Sequence, residues 1–155
     1  MTWYRRAAAA GDRLAQAQLG LILLEPDLPC HDVAEGFRWL ARAGEQGHRG
    51  VQYFLGVQYA TGEMVGIDAK RALYWYRKAA AAGDAEAQYN IGMMYWGGEG
   101  VRKNAATARQ WIRKAGRNGE ILAAILLADA YRTGILGFRI DRAKARYWRA
   151  KAWRS

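Results

Sequence analysis

Apolar residues recur along this chain at helical rather than strand spacing. Ala87, Ile91, Gly92 and Tyr95 follow i, i+4, i+5 and i+8, which is one face of an α-helix. The same face is written upstream as Val51, Leu55, Gly56 and Tyr59, and before that as Ala15, Leu19, Gly20 and Leu23. Downstream it returns as Ala123, Leu127, Ala128 and Tyr131. Tryptophans keep the same measure: Trp3, Trp39, Trp75, Trp111 and Trp148 are separated by 36, 36, 36 and 37 residues. So regular a spacing marks one structural unit copied along the chain. The tryptophans, as its invariant column, are expected in the core. No stretch alternates with period two for long enough to predict a sheet.

Punctuation between the apolar runs sets the helix ends. Gly11, Gly47, Gly83 and Gly119 each follow a tryptophan by eight residues, where a glycine can take the left-handed conformation that closes a helix. Asp32, Asp68, Asn104 and Asp141 open the tryptophan-bearing runs, and their side chains accept from the orphan N–H groups of a helix start. The spacing predicts a half-unit over 3–10, then helix pairs at 13–24/32–46, 49–61/68–82, 85–96/104–118 and 121–133/141–153. The final 37-residue interval places one inserted residue in the loop from Gly134 to Ile140. Fold class is therefore all-α: a right-handed αα-hairpin solenoid of about four helix pairs preceded by a half-repeat. It forms a single domain over 1–155, with units near 13–46, 49–82, 85–118 and 121–153. Each hairpin buries its apolar stripe against its neighbours.

The third unit is the clearest copy. It runs Ala87-Gln88, Ile91-Gly92, Tyr95, Gly98-Glu99-Gly100-Val101, Asn104, Ala108, Trp111, Lys114-Ala115 and Gly119. This pattern resembles the Sel-one-like repeat (SLR) family, relatives of the tetratricopeptide repeats, over essentially the whole chain. Met64 replaces the second glycine in the second unit. The first and last units depart most, with Leu24-Glu25-Pro26 and Gly134-Ile135-Leu136 in place of the glycine loop, as capping repeats do. The resemblance implies a TPR-like superhelix that binds other proteins and has no chemistry of its own. Some bacterial relatives carry a disulfide in each repeat, and the lone Cys30 places this chain outside that branch. Other small bacterial members act in envelope assembly, in signalling or as immunity proteins that block a toxin.

About half of the 155 residues are apolar and 12% are aromatic, ample for a packed core. No apolar run approaches the roughly 20 residues that cross a bilayer. The chain enters in mid-repeat without the apolar segment of a secretory signal. It is expected in the cytoplasm as written, or in the periplasm if an upstream segment has been removed. The net charge of +10 is unevenly placed. Residues 1–97 hold ten basic and ten acidic side chains, whereas residues 98–155 hold fourteen basic against Glu99, Glu120, Asp129 and Asp141. The whole excess therefore lies in the last third, which points to an acidic partner, an anionic surface or nucleic acid contacting that end.

Chemistry is sparsely supplied. Ser155 is the only serine and ends the chain, and Thr61 and Thr133 close helices with no histidine nearby to activate them. His31 and His48, the only histidines, fall at predicted helix starts without metal-ligand spacing. Gly97-Gly98-Glu99-Gly100-Val101 follows a helix rather than a strand and lacks the lysine–hydroxyl pair of a phosphate loop. Catalytic, cofactor-binding and metal residues are accordingly predicted as none, and the chain is not expected to be an enzyme.

Two sets of surface positions are candidates for a partner. On the first helices, which line the concave side of such arrays, Phe54, Asn90 and Leu126 stand in one column and Met93 and Asp129 in the next, with Phe54, Met93 and Leu126 apolar where burial is not required. Exposed apolar and methionine side chains suit adaptable protein binding, although packing between helices or a dimer contact would also hide them. Ile121 and Leu122 add to this stripe. The second set is the basic end: Arg139, Arg142, Arg146 and Arg149, with Lys144, Lys151 and Arg154 beside them. Its alternative use is electrostatic binding of nucleic acid or an anionic membrane. No aromatic residues interleave it in a nucleic-acid pattern, so a protein is favoured. Arg6, Arg42, Lys78, Lys114 and Lys151, each three residues after a tryptophan, are expected to stay in water at helix C-termini, where a cation offsets the helix dipole.

Overall fold

A computed structural model of the chain describes residues 2–153; Arg154 and Ser155 lie outside the described residues. Among the described residues the chain forms nine α-helices: α1 (Thr2–Ala9), α2 (Arg13–Leu24), α3 (Val33–Glu45), α4 (Arg49–Thr61), α5 (Ala69–Ala81), α6 (Ala85–Gly97), α7 (Ala105–Arg117), α8 (Ile121–Thr133) and α9 (Arg142–Ala152). All nine follow the spacing of the tryptophan and glycine columns to within a residue or two. The fold is an αα-hairpin solenoid.

The ends of the helices form as their residue types dictate. Asp32 Oδ1 accepts from Glu35 N at 2.8 Å, and Asn104 Oδ1 accepts from Thr107 N at 3.0 Å. Asp141 accepts from the N–H groups of both Ala143 and Lys144. His48 serves as a cap as well, with Nδ1 accepting from Val51 N at 3.3 Å. Gly47 and Gly119 take φ of 86° and 97° at the ends of α3 and α7, angles at which a Cβ is strained.

Two compact units divide the chain, residues 1–79 and residues 80–155. In the first, one core joins Ala17, Leu24, Phe37, Leu40, Ala43, Val51, Leu55 and Trp75, and a second joins Ala8, Ala15, Leu19 and Leu23. In the second unit Ile112, Ala115, Ala123, Ala124, Leu127, Ala130, Tyr131, Leu136, Phe138 and Trp148 pack as one cluster. The small-residue column works as its position requires. A Cβ at Gly20 would come within 2.6 Å of Leu40 Cγ, and one at Gly92 within 2.7 Å of Ile112 Cγ1, so the two helices of each hairpin touch there.

The tryptophan column needs correction. Trp75 and Trp148 are in the core at 6% exposure, but Trp39 and Trp111 are half-buried and Trp3 is 70% exposed. The residue five places after the previous tryptophan explains the split. Before Trp148 it is Gly116, whose missing side chain lets the indole in: a Cβ there would meet Trp148 Cζ3 at 2.9 Å. Before Trp39 and Trp111 it is Ala8 and Ala80, where a methyl already fills the space. Trp3 has no preceding repeat in the chain.

Three glutamines that share a repeat position are buried and bonded. Nε2 of Gln16, Gln52 and Gln88 donates to the carbonyls of Ala8, Gly44 and Ala80, eight residues earlier in each case. Oε1 of Gln16 accepts from Gln46, and Oε1 of Gln88 accepts from Asn118, thirty residues on and 2.8 Å away in both. Gln52 Oε1 has no partner, and the residue thirty positions beyond it is Ala82, which has no amide.

The loop carrying the inserted residue is specifically built. Residues Ile135–Gly137 make a 3₁₀ turn in which Leu136 holds φ at 60° and buries its side chain. Arg109 donates to the Leu136 carbonyl at 2.9 Å. Phe138 packs edge-on against Tyr131, with the Arg113 guanidinium over its ring.

Candidate partner-binding face

The helix α8 is apolar nearly all round, and its neighbours cover only part of it. Ala123, Ala124, Leu127, Ala130 and Tyr131 face the core. Ile121, Ile125, Ala128, Asp129 and Arg132, at i, i+4, i+7, i+8 and i+11, form another face. Ile121 is 43% exposed and Ile125 47% exposed. In α9 Trp148 points into the core, while Arg142, Ala145, Arg146, Arg149, Ala152 and Trp153 follow one another along a second face. These two faces enclose an open cleft of about 1100 Å³. The α8 wall is aliphatic at Ile121, Ile125 and Ala128 and carries Asp129 and Arg132 beyond them; the α9 wall carries Arg142, Arg146 and Arg149, with the 83% exposed Trp153 at its end.

Charges around the cleft are not balanced. Asp129 is held by Arg132 at 3.0 Å, and Asp141 by Lys144 at 3.1 Å. Among the described residues, no carboxylate pairs with Arg142, Arg146 or Arg149 within 4 Å. Hydrogen bonds from the Lys144 and Ala143 backbone and from the Lys144 side chain hold the Asp141 carboxyl below its ordinary range. It stays charged as the cap of α9.

The equivalent faces one repeat earlier are packed rather than open. In α6 Tyr89, Met93 and Trp96 stand where α8 has Ile125, Asp129 and Arg132. In α7 Ile112 and Ala115 stand where α9 has Arg149 and Ala152. There the cleft is closed: Ile112 and Ala115 are fully buried in one cluster with α8, and the three α6 side chains pack against it. Burial raises the Tyr89 phenol above its ordinary value.

The structure gathers the anticipated residues selectively. Asp129, Arg142, Arg146 and Arg149, read from sequence as belonging to two surfaces, line one cleft. Met93 and Leu126 are half-buried against the second unit's core, and Asn90 is half-buried in α6. Phe54, in the first unit, is half-buried 6.4 Å from the Phe37 ring. Arg139 is exposed in the loop before α9. Sequence reasoning does not single out Ile125, Arg132 or Trp153, which line the same cleft. Their helical spacing from Ile121 and Arg142 was the available signal. Cys30 is half-buried beside the Leu19–Leu23 cluster and His31 is exposed. Among the described residues no group of three or more His, Cys, Asp or Glu side chains is placed to hold a metal.

The basic column three residues after each tryptophan lies on the helices' last turns. Arg42 covers the Trp39 ring at 4.6 Å, Lys114 covers Trp111 at 5.1 Å and Lys151 covers Trp148 at 5.3 Å. Two further networks tie first-unit helices together. Glu35 accepts from Arg5 and from Trp39 Nε1, and those bonds hold its carboxyl below the ordinary value. Glu45 accepts from Tyr74 at 2.6 Å and pairs with Lys78 at 2.9 Å, with the same consequence for its carboxyl.

Stacked helical hairpins of this kind define the class of αα-hairpin repeat solenoids. The Sel1 repeat model matches residues 1–12, 13–48, 51–84, 85–120 and 121–152, so this chain belongs to the Sel1 repeat family. Such repeats generally mediate protein–protein interaction and are non-enzymatic. No curated protein matches the chain. Among solved structures it is similar to c5321, a protective antigen present in uropathogenic Escherichia coli strains that displays an SLR fold. That match has 35% identity and a TM-score of 0.85, over 99% of this chain and 32% of that one. A Sel1 repeat protein from Oxalobacter formigenes is 32% identical with a TM-score of 0.88, over 99% and 63% of the respective chains. Cysteine-rich protein B of Helicobacter pylori is 26% identical with a TM-score of 0.59, over 81% and 90%. The chain thus spans about a third of the first relative and under two thirds of the second. No helix among the described residues is long and apolar enough to cross a membrane.

Proposed function

We propose that this protein is a scaffold that binds a partner protein with an acidic surface at the open face of α8 and α9. The observation that carries this reading is the cleft itself: Arg142, Arg146 and Arg149, without carboxylate partners among the described residues, stand opposite Ile121, Ile125 and Ala128. Uncompensated arginines beside desolvatable aliphatic area and an exposed indole have the composition of interface hot spots. Asp129 faces the partner, Arg139 extends the positive field, and Phe54, Asn90, Met93 and Leu126 support the helices by packing. Inhibition of an acidic toxin, as an immunity protein performs, is one form this binding takes. A nucleic acid is disfavoured because the wall opposite the α9 arginines, Ile121, Ile125, Ala128, Asp129 and Arg132, offers no stack of aromatic rings to bases.

Affinity capture from the native host tests the reading. The wild type and the triple variant R142E/R146E/R149E, matched for helicity by circular dichroism, are compared as baits with cross-linking through the cleft. A partner cross-linked through an Asp/Glu-rich segment to wild type and lost from the variant is the expected result. Equal recovery of that partner by both baits overturns the assignment. If the variant instead loses binding only to duplex DNA or anionic vesicles, the electrostatic alternative replaces it.

A further inference from the structure

We infer that the element of the partner that enters this cleft is an acidic amphipathic α-helix, lying where the first helix of another repeat would stack. This inference rests on the proposed binding face and adds the shape of what occupies it. The second unit contains its own template. The cleft formed by the equivalent faces of α6 and α7 is filled by a helix, α8, whose Leu127 reaches the Gly116 position. The faces of α8 and α9 repeat that backbone arrangement, and among the described residues no helix lies in the cleft between them.

Its side chains differ from the template in a directed way. Position 105 is Ala and position 112 is Ile, and the corresponding residues of α9 are Arg142 and Arg149. Arg146 keeps the arginine found at Arg109, but Arg109 is bonded to the Leu136 carbonyl, whereas Arg146 pairs with no carboxylate among the described residues. The α8 wall stays apolar at Ile121, Ile125 and Ala128. An occupying helix therefore meets aliphatic surface along one edge and three guanidinium groups along the other. That asks for an apolar stripe flanked by Asp or Glu at i, i+4 and i+7, the spacing of Arg142, Arg146 and Arg149. A second copy of this chain is a poor occupant, because its own first helix, α1, carries Arg5 and Arg6 and no acidic residue. Trp153 replaces the glycine found at Gly116 and projects into solvent at the cleft's end. It serves as a lid over the bound helix and an anchor for its apolar stripe.

Three fluorescein-labelled 16-residue peptides test this by anisotropy against the full chain. The first is helical, with leucines along one stripe and glutamates at i, i+4 and i+7 beside it. The second has the same charges and two central prolines, and the third has lysine at each glutamate position. The first peptide is expected to bind and gain helicity, with the second and third at least tenfold weaker. Ile125→Asp and R142E/R146E/R149E should each weaken the first peptide at least tenfold. Equal binding of the first two peptides overturns the helical occupant and leaves acidic recognition standing. Equal binding of the first and third, or none by any peptide, overturns the inference. Partner capture by the wild type alone then decides separately whether the binding face survives.

Discussion

The indole of Trp75 lies directly on Gly44, so closely that a Cβ there would come within 2.7 Å of Cζ3. Leu55 Cδ1 closes the other side at 3.5 Å. Gly44→Ala therefore sets a helix-propensity gain of about 1 kcal/mol against overpacking of about 1–3 kcal/mol. Because a ring 6% exposed has nowhere to go, overpacking wins. Denaturant unfolding should show a net loss of about 1 kcal/mol. Gly50→Ala, in α4 with nothing nearer than 3.7 Å, should gain roughly 0.5 kcal/mol. A neutral Gly44→Ala refutes the contact.

Gln88 and Gln52 occupy the same repeat position with unequal satisfaction. Replacing Gln88 by Met strands the Ala80 carbonyl and the Asn118 amide, a loss of about 1–3 kcal/mol. At Gln52 the same change also removes a buried oxygen that has no partner, which offsets the loss. Urea unfolding should rank Gln88→Met as the more destabilising of the two. The reverse order contradicts the bonding described.

His48 caps α4 where Asp12 and Asp84 cap α2 and α6. Its acceptor distance is 3.3 Å, against 2.6 and 2.8 Å for the two aspartates. His48→Asp should stabilise the chain by roughly 0.5–1 kcal/mol, read as a higher Tm at neutral pH. An unchanged or lower Tm shows the imidazole to be the better cap.

Glu35 and Glu45 both hold their protons more weakly than the ordinary value of 4.5. A depressed folded-state value means that the unfolded chain binds the proton better. The stabilisation is therefore complete above pH 4.5 and is lost as pH falls through the folded values. Wild type should be more stable than Glu35→Gln/Glu45→Gln at pH 7, and the two should converge in acid. A gap independent of pH would assign the effect to hydrogen bonding alone. Both pairs are partly exposed, so the gap should also narrow with added salt.

The helices and their caps were legible because each depends on residues within one turn of the chain. Burial of a given tryptophan was not, since it depends on a residue thirty-one or thirty-two positions upstream. The glutamines at 16, 52 and 88 recur at 36-residue spacing, yet a polar column in an apolar helix reads equally as surface. Only the packed chain shows their amides reaching back to carbonyls eight residues earlier. From sequence the candidate face reads as two surfaces, because Asp129 and Arg146 come together only when α9 folds against α8. Mapping α8 and α9 onto Tyr89, Met93, Trp96 and Ile112 would have united them.

The alternation beneath the tryptophans carries further than packing. Ala8, Gly44, Ala80 and Gly116 alternate, as do Gln46, Ala82 and Asn118 as amide donors and non-donors. The segments 3–12 and 75–84 read WYRRAAAAGD and WYRKAAAAGD, differing only at Arg6 and Lys78. The heritable module is thus a 72-residue pair of hairpins with an odd and an even member. A shortened or lengthened variant should preserve stability when it changes by whole pairs. Removing a single hairpin sets an indole meant for glycine against a methyl group.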